Sequence, residues 1–97
     1  MDSRVRNRFP AARMPHQDDP QPALGQAICK LRKDAGQTQV QLGEAASIHS
    51  TWISRIESGS TNPTWGNVKR IAVGLGVRMS DLAELAEMLE ADQPEES

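Results

Sequence analysis

Between Gln37 and Gly59 the chain reads QTQVQLGEAASIHSTWISRIESG, and this stretch leaves the backbone few options. It holds two short apolar-patterned segments joined by about three residues. Thr38 and Gln41, three apart, form a capping box that opens one helix through about Ala46. A second helix starts near His49 and ends at Gly59, with Ile53 and Ile56 one turn apart on its inner face. Two helices joined this tightly pack at a steep angle only where a small residue lets their backbones approach. Gly43 is expected at that point, with Ala46 small as well, while Leu42, Ile48, Ile53 and Ile56 fix the angle.

The surrounding segments are helical in pattern too. From about Ala23 to Ala35, Leu24, Ala27, Ile28, Leu31 and Ala35 share one face, and Gly36 supplies a left-handed stop. Pro63 and Thr64 start a further helix in which Trp65, Val68, Ile71, Ala72 and Leu75 are expected to face inward, with Gly76 ending it. Ser80 is expected to cap a last helix carrying Leu82, Leu85, Ala86 and Leu89. No stretch alternates with a period of two for long enough to be a strand. The expected fold class is all-α, a compact five-helix domain over residues 23–91, with its helix-turn-helix at about 38–58. Residues 1–22 hold Pro10, Pro15, Pro20 and Pro22 and no periodic apolar face, which predicts a disordered arm; residues 92–97 predict an acidic tail.

Composition bounds the function. Ninety-seven residues leave room for one domain and exclude a large catalytic or ligand-binding unit. Aromatic residues are limited to Phe9, Trp52 and Trp65, so packing is aliphatic. The single cysteine, Cys29, allows no internal disulfide and no cysteine-based metal cage, which fits a reducing cytoplasm. No apolar run predicts a membrane span, and the first twenty residues lack the apolar core and cleavage site of a secretory signal. No Ser-His-Asp or Cys-His set, phosphate loop or metal cluster is visible, so neither an enzyme nor a cofactor is expected.

The net charge of -2 conceals an uneven layout: residues 1–22 carry +1, residues 23–78 carry +4 and residues 79–97 carry -7. A basic middle beside an acidic end hints at a polyanionic partner.

With these residues in view, the chain resembles the lambda-repressor-like helix-turn-helix regulators, the XRE family. The resemblance rests on Leu31-Arg32, Gly36, Thr38-Gln39, Leu42-Gly43, Ser47-Ile48-His49, Ile53-Ser54, Ile56-Glu57-Ser58-Gly59, Asn62-Pro63 and Ile71-Ala72, over about residues 24–85. Three positions depart from the family pattern. Ser47 replaces a glycine and has to accept a left-handed turn. His49 replaces a serine or threonine cap, so the helix it opens is expected to be capped less well, or by Ser47 instead. Gly43 replaces an alanine.

The resemblance implies double-stranded DNA as partner, with the helix from His49 to Ser58 in the major groove. Ser50, Thr51, Ser54 and Arg55 then face base edges. Arg55 either bonds guanine with two donors or serves a phosphate. Gln39, His49, Ser58, Ser60, Thr61 and Asn62 are implied phosphate contacts. Arg32 and Glu57 are implied to pair as a structural ion pair, which keeps Arg32 off the DNA. Trp52 is expected to cover the second helix at the core edge, and Trp65 and Cys29 to serve packing. The arginines Arg4, Arg6, Arg8 and Arg13 of the arm either lie in a minor groove or have no such role.

One such motif reads few base pairs, and the last helix carries more apolar side chains than a lone terminal helix needs. A two-fold homodimer through Leu82, Leu85, Met88 and Leu89 and the end of the fourth helix is therefore expected. The alternative is an antitoxin or protein-binding adaptor that docks a basic partner through its acidic C-terminal tail.

Overall fold

The computed structural model describes residues 21–92. Among them are five helices and no strand: α1 Pro22–Asp34, α2 Gln39–Ala46, α3 Ser50–Glu57, α4 Trp65–Leu75 and α5 Met79–Ala91. The all-α expectation holds. The arm, with Arg4, Arg6, Arg8 and Arg13, and the tail beyond Asp92 lie outside the described residues.

Local chemistry sets the helix ends. Pro22 occupies the first turn of α1, where a missing N–H costs nothing. Gly36, at φ 72°, turns the chain out of α1, and its N–H donates to the Lys33 carbonyl at 3.0 Å. The capping box is present in full: the Gln41 N–H donates to Thr38 Oγ1 at 3.0 Å, and the Thr38 N–H donates to Gln41 Oε1 at 2.8 Å. Thr64 Oγ1 accepts the Asn67 N–H at the start of α4, and Gly76, at φ 74°, ends that helix. The start of α5 differs from expectation. Its cap position is Arg78 rather than Ser80, because the Asp81 carboxylate reaches back to accept the Arg78 N–H at 3.2 Å.

Each helix sends one large aliphatic side chain to a common centre. Ile28 from α1, Leu42 from α2, Ile53 from α3, Ile71 from α4 and Leu82 from α5 are all fully buried. Burying a side chain of this size contributes about 1.5–3 kcal/mol, so no helix is dispensable to the core. α2 packs on α3 and α4, while α1 packs on α3 and α5.

Two expectations about the apolar surface are corrected. Trp65 does not face inward; it is 72% exposed, because it is the first residue of α4 and overhangs the core that Ile71, Ala72 and Leu75 fill. Leu82 is not a surface residue free for a dimer contact. It is 1% exposed and belongs to the core, since α1 packs over that face of α5. Leu85 and Leu89 also pack against the core but are only partly buried, which leaves Met88 as the exposed apolar side chain of the set.

Candidate nucleic-acid interface

The turn between α2 and α3 determines how α3 is presented. Ser47 takes the left-handed conformation at φ 58°, the only non-glycine among the described residues to do so. This lets the Ile48 N–H donate to the Gly43 carbonyl at 2.9 Å. The chain then runs so close to α2 that a Cβ on Gly43 would stand 2.5 Å from the Ile48 carbonyl oxygen. The sequence singled out Gly43 as the point of approach, and the backbone closes directly onto it. A second close approach had no sequence signal. A Cβ on Gly25, in the first turn of a regular α1, would overlap the Ile56 carbonyl oxygen and crowd Glu57, so α1 presses on the end of α3 at that glycine.

His49, not Ser47, caps α3: its Nδ1 accepts the Thr51 N–H at 3.0 Å. At about 100° per residue, Ile53 and Ile56 face the core while Thr51, Ser54 and Arg55 share the opposite face. Burial agrees, with the two isoleucines buried, those three residues exposed and Ser50 half-buried at the margin. The four candidate base readers thus lie on one helix, three of them on its solvent face. The Arg55 guanidinium lies 5.3 Å from the centre of the Trp52 ring, one turn back. Trp52 is 49% exposed, so it lies beside Arg55 at the surface as well as at the core edge.

The far end of α3 is closed by hydroxyls. Ser58 Oγ and Ser60 Oγ both donate to the Arg55 carbonyl, at 3.1 and 3.2 Å, and lie 3.1 Å from each other. These two candidate phosphate contacts are thus engaged in ending the helix. Thr61 and Asn62 are half-buried and curl back beside α3. Together with His49 and Trp52 they line an open cleft of about 500 Å³, whose other wall includes Asn67 and Arg70 of α4. Neither Asn67 nor Arg70 was marked by the sequence, because both sit within a helix read only for its apolar face.

Arg32 and Glu57 form a nearly buried, two-pronged ion pair. Arg32 Nε donates to Glu57 Oε2 at 2.6 Å and Nη2 to Oε1 at 3.1 Å, with side-chain exposures of 10% and 5%. Arg32 Nη1 also donates to the Gln37 carbonyl at 2.7 Å, and Nη2 lies 3.8 Å from Cys29 Sγ. Burial pushes the Glu57 carboxyl upward, but hydrogen bonds from Arg32 and Gln39, with the charge of Arg32, outweigh it and hold the group below its ordinary value. The hydrogen bond to Glu57, against the opposing effect of burial, raises Arg32 above its own ordinary value.

Gln39 takes part in this arrangement. Its Nε2 donates to Glu57 Oε1 at 3.0 Å, a link across eighteen positions that local spacing could not show. The amide keeps a second N–H that this bond does not use. Its charged neighbours, Arg32 and Glu57, pair with each other; the exposed cations on α3 and lining the cleft are Arg55 and Arg70, while the exposed acid Glu44 of α2 stands beside His49 and Ser50 at the start of α3. The acids Asp81, Glu84, Glu87 and Glu90 stand on α5, which packs against α1 and α4.

The chain is similar to known DNA-regulatory proteins in sequence and fold. Over 72 residues the chain is 31% identical to the immunity repressor protein of Bacillus phage phi105, covering 74% of this chain and half of that protein. Over 71 residues it is 30% identical to the control protein C.BamHI of Bacillus amyloliquefaciens, covering 72% of this chain and 88% of that protein. Among solved structures it superimposes on the clp gene regulator ClgR from C. glutamicum with a TM-score of 0.70 at 26% identity, covering 82% of this chain and all of that one. Residues 23–85 match the helix-turn-helix domain family. The chain belongs to that family, among its lambda-repressor-like (XRE) regulators.

Proposed function

We propose that this protein is a sequence-specific double-stranded DNA-binding transcriptional regulator that lays α3 in the major groove. The observation that carries this reading is the two-faced α3, which is anchored by Ile53 and Ile56 and offers Thr51, Ser54 and Arg55 to solvent. Arg55 reads guanine through its two donors, with Ser50, Thr51 and Ser54 beside it. Gln39 donates its second amide N–H to a phosphate while Glu57 holds the first. His49, Thr61 and Asn62 supply further backbone contacts, and Ser58 and Ser60 do so by rotating a hydroxyl from the Arg55 carbonyl to a phosphate.

The protein acts as a homodimer. Met88, with the exposed edges of Leu85 and Leu89, pairs two copies across a two-fold axis, and the two α3 helices then stand about 34–36 Å apart. The acids of α5 face away from the DNA, and the protein acts in the cytoplasm, where such a regulator meets its DNA.

Selection of binding sites from a random duplex pool with the full-length protein tests the reading. The expected result is an enriched near-palindrome with half-sites one helical turn apart. Arg55→Ala then weakens binding by about 1–3 kcal/mol and relaxes one base position, whereas Gln39→Ala weakens all sites evenly. Absence of any enriched sequence would overturn the proposal.

A further inference from the structure

An apolar groove lies where the start of α1, α4 and α5 meet. It encloses about 380 Å³ between Leu24 of α1, Trp65 and Val68 of α4, and Met79, Ala83 and Ala86 of α5. The exposed Trp65 ring forms part of its wall, the more exposed of the two tryptophans among the described residues. Glu87 lines the same groove, and Asp81, Glu84, Glu87 and Glu90 recur every third residue along the exposed surface of α5, a helix that contains no lysine or arginine.

We infer that this groove is the docking site of the chain's own N-terminal segment Arg4–Phe9, with Phe9 against Trp65 and the arginines along the acids of α5. Three observations select this occupant. Gln21, where the described chain begins, itself lines the groove, so the segment is delivered to the site by the polypeptide. The eleven residues 10–20 between Phe9 and Gln21 reach the groove from any direction, at about 3.3 Å per residue when extended, and closing so short a loop costs little entropy.

The second observation is charge. The segment RVRNRF carries three arginines and no acid, opposite a helix with four acids and no base. The nearer stretch His16–Pro20, by contrast, carries Asp18 and Asp19, which α5 repels. The third is spacing. Arg4, Arg6 and Arg8 alternate with Val5, Asn7 and Phe9, so an extended chain turns the cations to one side and Val5 and Phe9 to the other. That division matches a groove that is apolar within and carries Glu87 at its wall, with Glu90 one turn on along the same flank of α5.

Docking of this kind has a functional consequence. It removes three of the arm's arginines from any minor groove and neutralises part of the acidic surface of α5. At about 100° per residue, Ala83, Ala86 and Glu87 lie on one flank of α5 and Leu85 and Met88 on the other, so a docked arm leaves the proposed dimer face open.

The test uses the full-length chain with Trp52→Phe, so that Trp65 is the only fluorophore, and reads its emission maximum and its quenching by acrylamide. The expected result is a shielded Trp65. Phe9→Ala or Glu87→Lys then shifts its emission to the red and raises its quenching, and combining Glu87→Arg with Arg8→Glu restores the shielding that either alone removes. Far-UV circular dichroism establishes that the helices persist in each variant. A Trp65 equally accessible in all of these proteins would overturn the inference. Shielding that increases with protein concentration would overturn it too, since it would identify a second copy as the occupant.

Discussion

Replacing Arg32 with methionine removes the partner of a carboxylate that is only 5% exposed. Arg32 supplies two of the side-chain hydrogen bonds that Glu57 accepts, and Gln39 supplies another. The Gln37 carbonyl loses a donor as well. Stranding one member of a nearly buried pair costs about 3–5 kcal/mol, a large share of the roughly 5–15 kcal/mol that holds a small domain together. At about 4–8 °C per kcal/mol for a domain of this size, Arg32→Met should lower Tm by well over 10 °C.

The double variant Arg32→Met with Glu57→Leu should recover most of the loss, because it strands no charge. Thermal melts of the wild type, both single variants and the double variant complete the cycle. The pH dependence should also change sign. In the wild type Glu57 is held below its ordinary pKa of 4.5, so its contribution is present above that value and is lost as pH falls toward the folded-state pKa. In Arg32→Met, burial, already the largest single influence, is no longer outweighed and raises the Glu57 pKa, so that variant gains relative stability on acidification. A single variant that melts within about 1 kcal/mol of wild type, the worth of an exposed pair, would refute the reasoning.

Further outcomes follow from the turn geometry and the surface. Ser47→Gly should raise stability, because relief of a left-handed non-glycine residue, worth about 1–2 kcal/mol, exceeds the added unfolded-state entropy of roughly 0.4–1 kcal/mol; a urea titration measures the gain. Gly43→Ala and Gly25→Ala should each destabilise by about 1–3 kcal/mol, despite better helix propensity, as read from denaturation midpoints. His49→Ala should cost about 0.5–2 kcal/mol through loss of the α3 cap, and His49→Asn should restore it. Met88→Glu should shift sedimentation toward the monomer while leaving the circular dichroism spectrum unchanged.

Much of the fold was legible because its punctuation is local. Gly36 and Gly76 end helices where the chain must turn left-handed, and Thr38 with Gln41 marks a helix start within four residues. Gly43 could be singled out because the adjoining helices leave no room for a longer turn. What stayed hidden depends on neighbours distant in sequence. A regular α1 gives no reason to single out Gly25 until the end of α3 is seen resting on it. The helical period placed Trp65 inward, but a first-turn residue lies beyond the reach of the core. Leu82 looked available for pairing only because the sequence does not show which face of α5 lies under α1. Gln39 matched the family motif, yet its bond to Glu57 joins two helices whose separation no local pattern encodes.

The contact between α1 and α5 bears on how the protein is made. The first and last described helices cover each other, and Ile28 and Leu82 belong to one core cluster. A nascent chain that has left the ribosome only as far as α4 therefore still exposes the faces of Ala27 and Ile28. Native closure waits for α5, and until then the α1 surface is open to chaperones or to misassociation. Ribosome-bound chains stalled before Leu82 should remain protease-sensitive throughout, and protection should arise in a single step once α5 emerges.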